Sequence, residues 1–195
     1  MNRMIALLLA CSLAAGGKTL AQPLRAGVVE FEEKNDIGLQ NARTIVPENL
    51  VGYLKQLGKY QLAERLYLKQ ALAEQKLQMT GAVDDNTAVQ FGKMVGLQAV
   101  ITGSCMKVGP DITISGRAVN VETGMIIAAG TVTFSALSDL NRNMEELAYL
   151  LSGYSQDSYR AIKARELIGK SRYELQLGAG YALNSLDLLD RKSVV

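Results

Sequence analysis

Between Leu97 and Phe134 the sequence LQAVITGSCMKVGPDITISGRAVNVETGMIIAAGTVTF leaves few folds open to the chain. Two short turn signals, Val108-Gly-Pro-Asp111 and Glu122-Thr-Gly124, cut it into three strand-length pieces. Ile112, Ile114, Gly116 and Ala118 alternate with Thr113, Ser115 and Arg117, and Ile126, Ala128, Gly130, Val132 and Phe134 alternate with Thr131 and Thr133. That period of two is the pattern of strands with one apolar and one wet face. Ile114 and Ile126 are thereby expected to point inward on adjacent strands. The phase slips at Ala118-Val119, where Val119 and Val121 become the apolar positions, so either a bulge lies there or the strand is covered on both sides. The expectation is an α/β (α+β) fold: a mixed sheet built on a three-stranded antiparallel meander, with helices packed mainly on one face.

Upstream elements fit that plan. Leu24 to Phe31 reads as the first strand and Glu32 to Gly38 as a polar loop. A helix is expected from Thr44, with Pro47 tolerated in its first turn, a stripe of Leu50, Val51, Leu54 and Leu57, and Gly58 as terminator. Tyr60 to Ala63 suits one short strand. Leu66 to Met79 repeats Leu68, Ala71, Leu72, Gln75 and Met79 at helical spacing, and Thr80-Gly81 closes it. Asp84, Asp85 or Asn86 caps a third helix that ends at Val95-Gly96, with Ala88, Phe91 and Val95 facing in. After the meander, Asn141 to Leu151 carries the stripe Met144, Leu147, Ala148 and Leu151, and Gly153 marks a domain boundary. Residues 154–195 then divide into a helix-compatible segment to Lys170 and a tail.

The first 21 residues hold Arg3, an apolar run from Ile5 to Ala15 and small residues before Ala21. This reads as a signal peptide cut after Ala21, and the protein as exported. A rival reading takes Leu8-Leu9-Ala10 as a loose lipobox and Cys11 as a lipidated residue. No segment offers the about 20 apolar residues of a membrane-spanning helix. The formal charge is +2, and loss of Arg3 and Lys18 with the leader leaves it at zero, which argues against nucleic acid as a partner. Cys105 is then the one remaining cysteine, so no intrachain disulfide is expected.

Chemistry-bearing residues are few. Histidine is absent, which removes the commonest general base and metal ligand. Glu64-Arg65 with Glu74 is the densest charged constellation, and a structural ion pair tying a strand end to a helix is its expected role. Cys105, in a strand with no histidine to activate it, is expected to be a buried, inert thiol. Gly92-Lys-Met-Val-Gly96 spans a helix end, and neither phosphate-binding glycine pattern occurs. The expectation is no catalytic residue, no cofactor and no metal, so not an enzyme.

Three stretches, YQLAERLYLKQALAEQKLQMTGAVDD, AVQFGKMVGLQAVITGS and AVNVETGMIIAAG, together resemble the periplasmic domain of the CsgG/HfaB family, envelope proteins tied to curli, holdfast or flagellar assembly. The matching residues are Glu64, Arg65, Glu74, Gln75, Gly81, Gly92, Gly96, Gly103 and Val121-Glu-Thr123-Gly124. The similarity runs from Leu24 to Leu151 and places the domain at residues 22–153. The same core is similar to that of LpoB, an activator of a peptidoglycan synthase, and of FlgO-type envelope proteins. The resemblance implies a non-enzymatic binding or assembly module of the periplasm or outer membrane, with envelope proteins as partners and homo-oligomers expected. Alternatives are a subunit of a curli-type secretion channel or an LpoB-like activator. The channel form of the family carries two long hairpins, one after the position of Gly103-Ser104 and one after that of Thr123-Gly124, and neither place has room for one here.

The tail adds one further expectation. Tyr173, Leu175, Leu177, Ala179, Tyr181 and Leu183 alternate with polar or small residues over about eleven positions, the pattern and length of one transmembrane β-strand. The expected reading is an ordinary edge strand or a disordered tail, because a lone strand cannot satisfy its backbone in lipid. A strand donated to an oligomer, or the start of a barrel in a longer protein, would also account for it.

Overall fold

The computed structural model describes residues 22–74 and 85–171. The segment expected to be a signal peptide, Cys11, Gln75, Gly81 and the tail expected to be strand-like lie outside these residues. Six strands form one mixed sheet: β1 (Leu24–Val28), β2 (Glu32–Glu33), β3 (Tyr60–Leu62), β4 (Ala99–Val108), β5 (Asp111–Asn120) and β6 (Ile126–Phe134). Their order is β3-β1-β4-β5-β6, with β2 pairing β4 beyond the end of β1. β1 runs parallel to β3 and β4, β2 runs parallel to β4, and β4-β5-β6 is the expected antiparallel meander.

Helices cover the two faces unequally. α1 (Ala42–Leu57) and α4 (Leu140–Leu151) lie on one face over the main core, where Val46, Leu50 and Leu54 meet Ala26, Val28 and Ile101 and where Met144, Leu147 and Leu151 meet Ile114 and Val132. α2 (Arg65–Glu74) and α3 (Asp85–Met94) cover the β1, β4 and adjoining β5 part of the opposite face, with Leu68, Ala88 and Phe91 against Val29, Val100 and Val121 and Asp85 on Arg117. Among the described residues that second face is uncovered over β6 and over the Thr113 to Ser115 part of β5. A fifth helix, α5 (156–171), returns along α4: Tyr159 packs on Tyr149 with ring centroids 5.1 Å apart, and Lys163 bridges Glu145 at 2.6 Å.

Three expectations need correction. The expected loop after β1 contains β2, because Glu32 and Glu33 reach β4 opposite Ser104 and Cys105. Pro47 sits in the second turn of α1 rather than the first. Its missing N–H leaves the Arg43 carbonyl unclaimed within the helix, and the Phe31 N–H, at the break between β1 and β2, binds that carbonyl at 3.2 Å. A proline that would ordinarily weaken a helix thus frees the acceptor that anchors the strand break.

The third correction concerns Ile126. The register of β5 and β6 shifts between Ala118 and Val119, so Ala118 pairs Ala128 while Val119 pairs Ile126 and Ile127 is the extra residue. The bulge carries Ile126 to the bare face, where it is 51% exposed, and Ile127 is 40% exposed. Both alternatives for the phase slip therefore hold at once, since a bulge is present and Val119 is buried.

Gly103 shows why the family pattern holds a glycine in the middle of β4. A Cβ there would collide with the backbone oxygen of Ser115 and stand 2.5 Å from the Phe31 ring. The backbone oxygen cannot move without breaking the β4-β5 ladder. Gly103→Ala is expected to cost about 1–3 kcal/mol by overpacking, read from the midpoint of urea unfolding. A loss of only a few tenths would show that the strand accommodates the methyl.

Candidate functional site

Of the charged constellation expected around Glu64, Arg65 and Glu74, the structure shows Arg65 holding elements together. Arg65 opens α2, donates from Nη1 to the Thr44 carbonyl at 3.2 Å and lies 3.8 Å from Glu48, both on α1. It ties the start of α2, just after β3, to α1, and its acid is Glu48 rather than Glu64 or Glu74. Glu64 is exposed and its backbone carbonyl accepts the Leu68 N–H at the start of α2. Glu74 is the last residue of α2.

The remaining family residues shape turns and close contacts. Gly96 ends α3 with φ +66° and Gly124 closes the β5-β6 turn with φ +72°, backbone conformations that side chains with a Cβ resist. Thr123 accepts the Met125 N–H through its hydroxyl at 3.3 Å, and Asn120 accepts the Glu122 and Thr123 N–H groups at 2.9 Å each. Gly92 places α3 directly on Val121 and Val100. These positions shape turns and close contacts of the scaffold.

Cys105 is buried, and burial, with the Glu33 carboxylate adding to it, pushes its thiol up to about 11. Tyr60 is buried with its hydroxyl donating to the Leu151 carbonyl at 2.6 Å, and burial pushes it up to about 12. Both neutral forms are favoured in the fold, so their contribution is complete below the ordinary values of 9.0 and 10.0. It is lost as pH rises through the folded values, since the unfolded chain releases these protons first. Stability is expected to fall above about pH 9, with Cys105→Ala flattening the pH 9 to 11 part of the decline and Tyr60→Phe the part from 10 to 12. Urea unfolding from pH 8 upward measures both, and an unchanged slope in Cys105→Ala would contradict the assignment. Among the described residues, no three of His, Cys, Asp and Glu come together to hold a metal, and no helix is long and apolar enough to cross a membrane.

The surface that the fold leaves open is β6 with the bare face beside it. Ser115, Gly116, Arg117, Ile126, Ala129, Gly130 and Thr131 line a shallow hollow of about 370 Å³. Hydroxyls pair across the strands, Ser115 with Thr131 at 3.0 Å and Thr113 with Thr133 at 3.3 Å. Arg117 binds Asp85 of α3 at 2.7 Å, which closes one end. Met125 is 67% exposed and extends the apolar rim made by Ile126 and Ile127. Among the described residues β6 is the terminal strand of its sheet, and its nine residues, IIAAGTVTF, contain no charge and no proline.

Sequence reasoning placed β6 but not this surface. Arg117 on the wet side of a strand was a visible signal, whereas its pairing with Asp85 joins residues 32 positions apart. Both junctions of the meander are short. Two residues separate β4 from β5, and Val121 to Met125 separate β5 from β6.

This is an α/β scaffold, a helix-backed mixed sheet with turns, packing glycines and, among the described residues, an open edge. Residues 19–116, half of the chain, match the family of the curli production assembly/transport component CsgG, and the chain belongs to that family. Among solved structures, lipoprotein GNA1162 from Neisseria meningitidis is 14% identical and superposes with a TM-score of 0.50 over 77% of this chain and 97% of that one. The LpoB C-terminal domain from Escherichia coli is 22% identical, with a TM-score of 0.49 over 63% and 90%. That from Salmonella enterica is 20% identical, with a TM-score of 0.48 over 61% and 87%. At such identities the likeness to GNA1162 concerns the fold alone. No curated protein matches the chain.

Proposed function

We propose that this chain is a non-enzymatic, exported assembly module of the cell envelope that binds other envelope components through the β6 edge. Membership of the CsgG family supplies the envelope setting. The observation that carries the mode of action is strand β6, uncharged and, among the described residues, without a partner strand on its outer edge. Natural sheets blunt exposed edges with charge, proline or a covering segment, because a row of free N–H and C=O groups recruits further strands. A strand left unblunted is suited to β-augmentation, in which main-chain bonds give affinity and the side chains beside them give selectivity. The residue inventory supports a non-catalytic role, since histidine is absent and the described cysteine is a buried thiol held neutral.

The test is affinity capture from detergent-solubilised envelopes with the full chain and with Ala129→Lys/Thr131→Lys. Envelope proteins retained by the first and lost by the second support the reading. Equal capture by both places the contact elsewhere. Conductance in planar bilayers by the purified chain would favour the secretion-channel alternative instead, and the short junctions at Gly109-Pro110 and Val121 to Met125 speak against it.

A further inference from the structure

The open edge has a regular stretch, a centre and a half-buried rim. From Ala128 to Phe134 the strand keeps an unbroken register with β5, the bulge at Ile127 being confined to one end. Gly130 stands at the middle of the nine residues. On the α4 side a Cβ at Gly130 would lie 2.6 Å from the Cβ of Leu150. Leu150 and Ala128 are half-buried residues packed on the main core, so the core itself reaches the surface at this edge.

We propose that the occupant of the edge is β6 of a second copy of this chain, paired antiparallel about a two-fold axis through Gly130. The proposal rests on reading β6 as an assembly edge and names what it assembles with. In this register Ala129 faces Thr131 and Ala128 faces Val132 of the other copy, and the bulge at Ile127 ends the regular pairing on each side. Ala128 and Val132 share the α4 side and Ala129 and Thr131 share the bare side, so like surfaces continue across the axis. An uncharged strand offers a charged partner nothing to complement, whereas a copy of itself meets no like charge. The two glycines at the axis leave the space on the α4 side to Leu150 from each copy, which extends the two main cores into one another. A two-fold contact of this kind is self-complementary by symmetry.

Light scattering of the full chain across a concentration series tests it. The expected result is a dimer. Ala129→Lys/Thr131→Lys sets lysines directly opposite one another and is expected to weaken the dimer by about a hundredfold or more. Because both residues are exposed, circular dichroism and melting temperature should stay near those of the parent chain. Ala129→Glu/Thr131→Glu should likewise be monomeric, and mixing the lysine and glutamate chains should restore a dimer, a gain that misfolding cannot imitate. A chain that is monomeric throughout overturns the proposal. If such a monomer still captures envelope proteins through β6, the partner strand is foreign and the functional reading stands; if it captures none, both fall. An assembly of any size that the lysine substitutions leave unchanged also overturns it, because the contact then lies elsewhere.

Discussion

Phe31→Ala is expected to lower the free energy of unfolding by about 3–5 kcal/mol, the range for removing a fully buried aromatic ring. Phe31 has no exposed surface and fills the break between β1 and β2. Its ring lies against Gly103 of β4 and its N–H is held by the Arg43 carbonyl that Pro47 leaves unclaimed. The substitution keeps that main-chain bond and removes only the ring, so the loss reports packing. Urea unfolding monitored by circular dichroism gives the value. The ring and the missing Gly103 side chain share one space, so Phe31→Ala combined with Gly103→Ala is expected to cost less than the sum of the two. Strict additivity would mean that the ring does not occupy the space above Gly103.

Ile114→Ala is expected to cost about 2–5 kcal/mol, and Ile126→Ala less than about 1 kcal/mol. Ile114 has no exposed surface and belongs to the main core with Leu147 and Leu151, while Ile126 is 51% exposed on the other side of the sheet. Thr113 and Thr133, paired through their hydroxyls at 3.3 Å on the bare face, should behave like Ile126 when changed to alanine. Urea unfolding of the four single variants separates the outcomes. A loss at Ile126 equal to that at Ile114 would mean that the bare face is covered in solution by a contact stronger than an exposed edge implies.

Ile126 also shows where reading the sequence stops. Alternation across the meander gave its three strands and both turns, because side chains in a strand must take opposite faces in turn. The phase slip at Ala118-Val119 was visible, and a bulge was one of its two readings. Which strand would hold the extra residue was not visible, since an inserted Ile127 looks like any other apolar position until it is paired with a neighbour. β2 was hidden for a related reason: two glutamates carry no alternation, and only the proximity of Ser104 and Cys105 makes them a strand. The acid beside Arg65 was hidden too, since Glu48 lies 17 positions upstream on another helix. The family glycines were more legible because each answers a local need, a turn at Gly124 and a helix end at Gly96. Gly103 required the partner strand and Phe31 to be seen together.

The account's central claim is that β6 is an assembly edge, and hydrogen exchange along the meander tests it most directly. In the full chain at high concentration, amides of Ile126 to Phe134 that do not bond β5 are expected to exchange slowly, and to lose protection on dilution or in Ala129→Lys/Thr131→Lys, while β4 and β5 stay unchanged. Rapid exchange of those amides at every concentration, and with solubilised envelope proteins present, would contradict it.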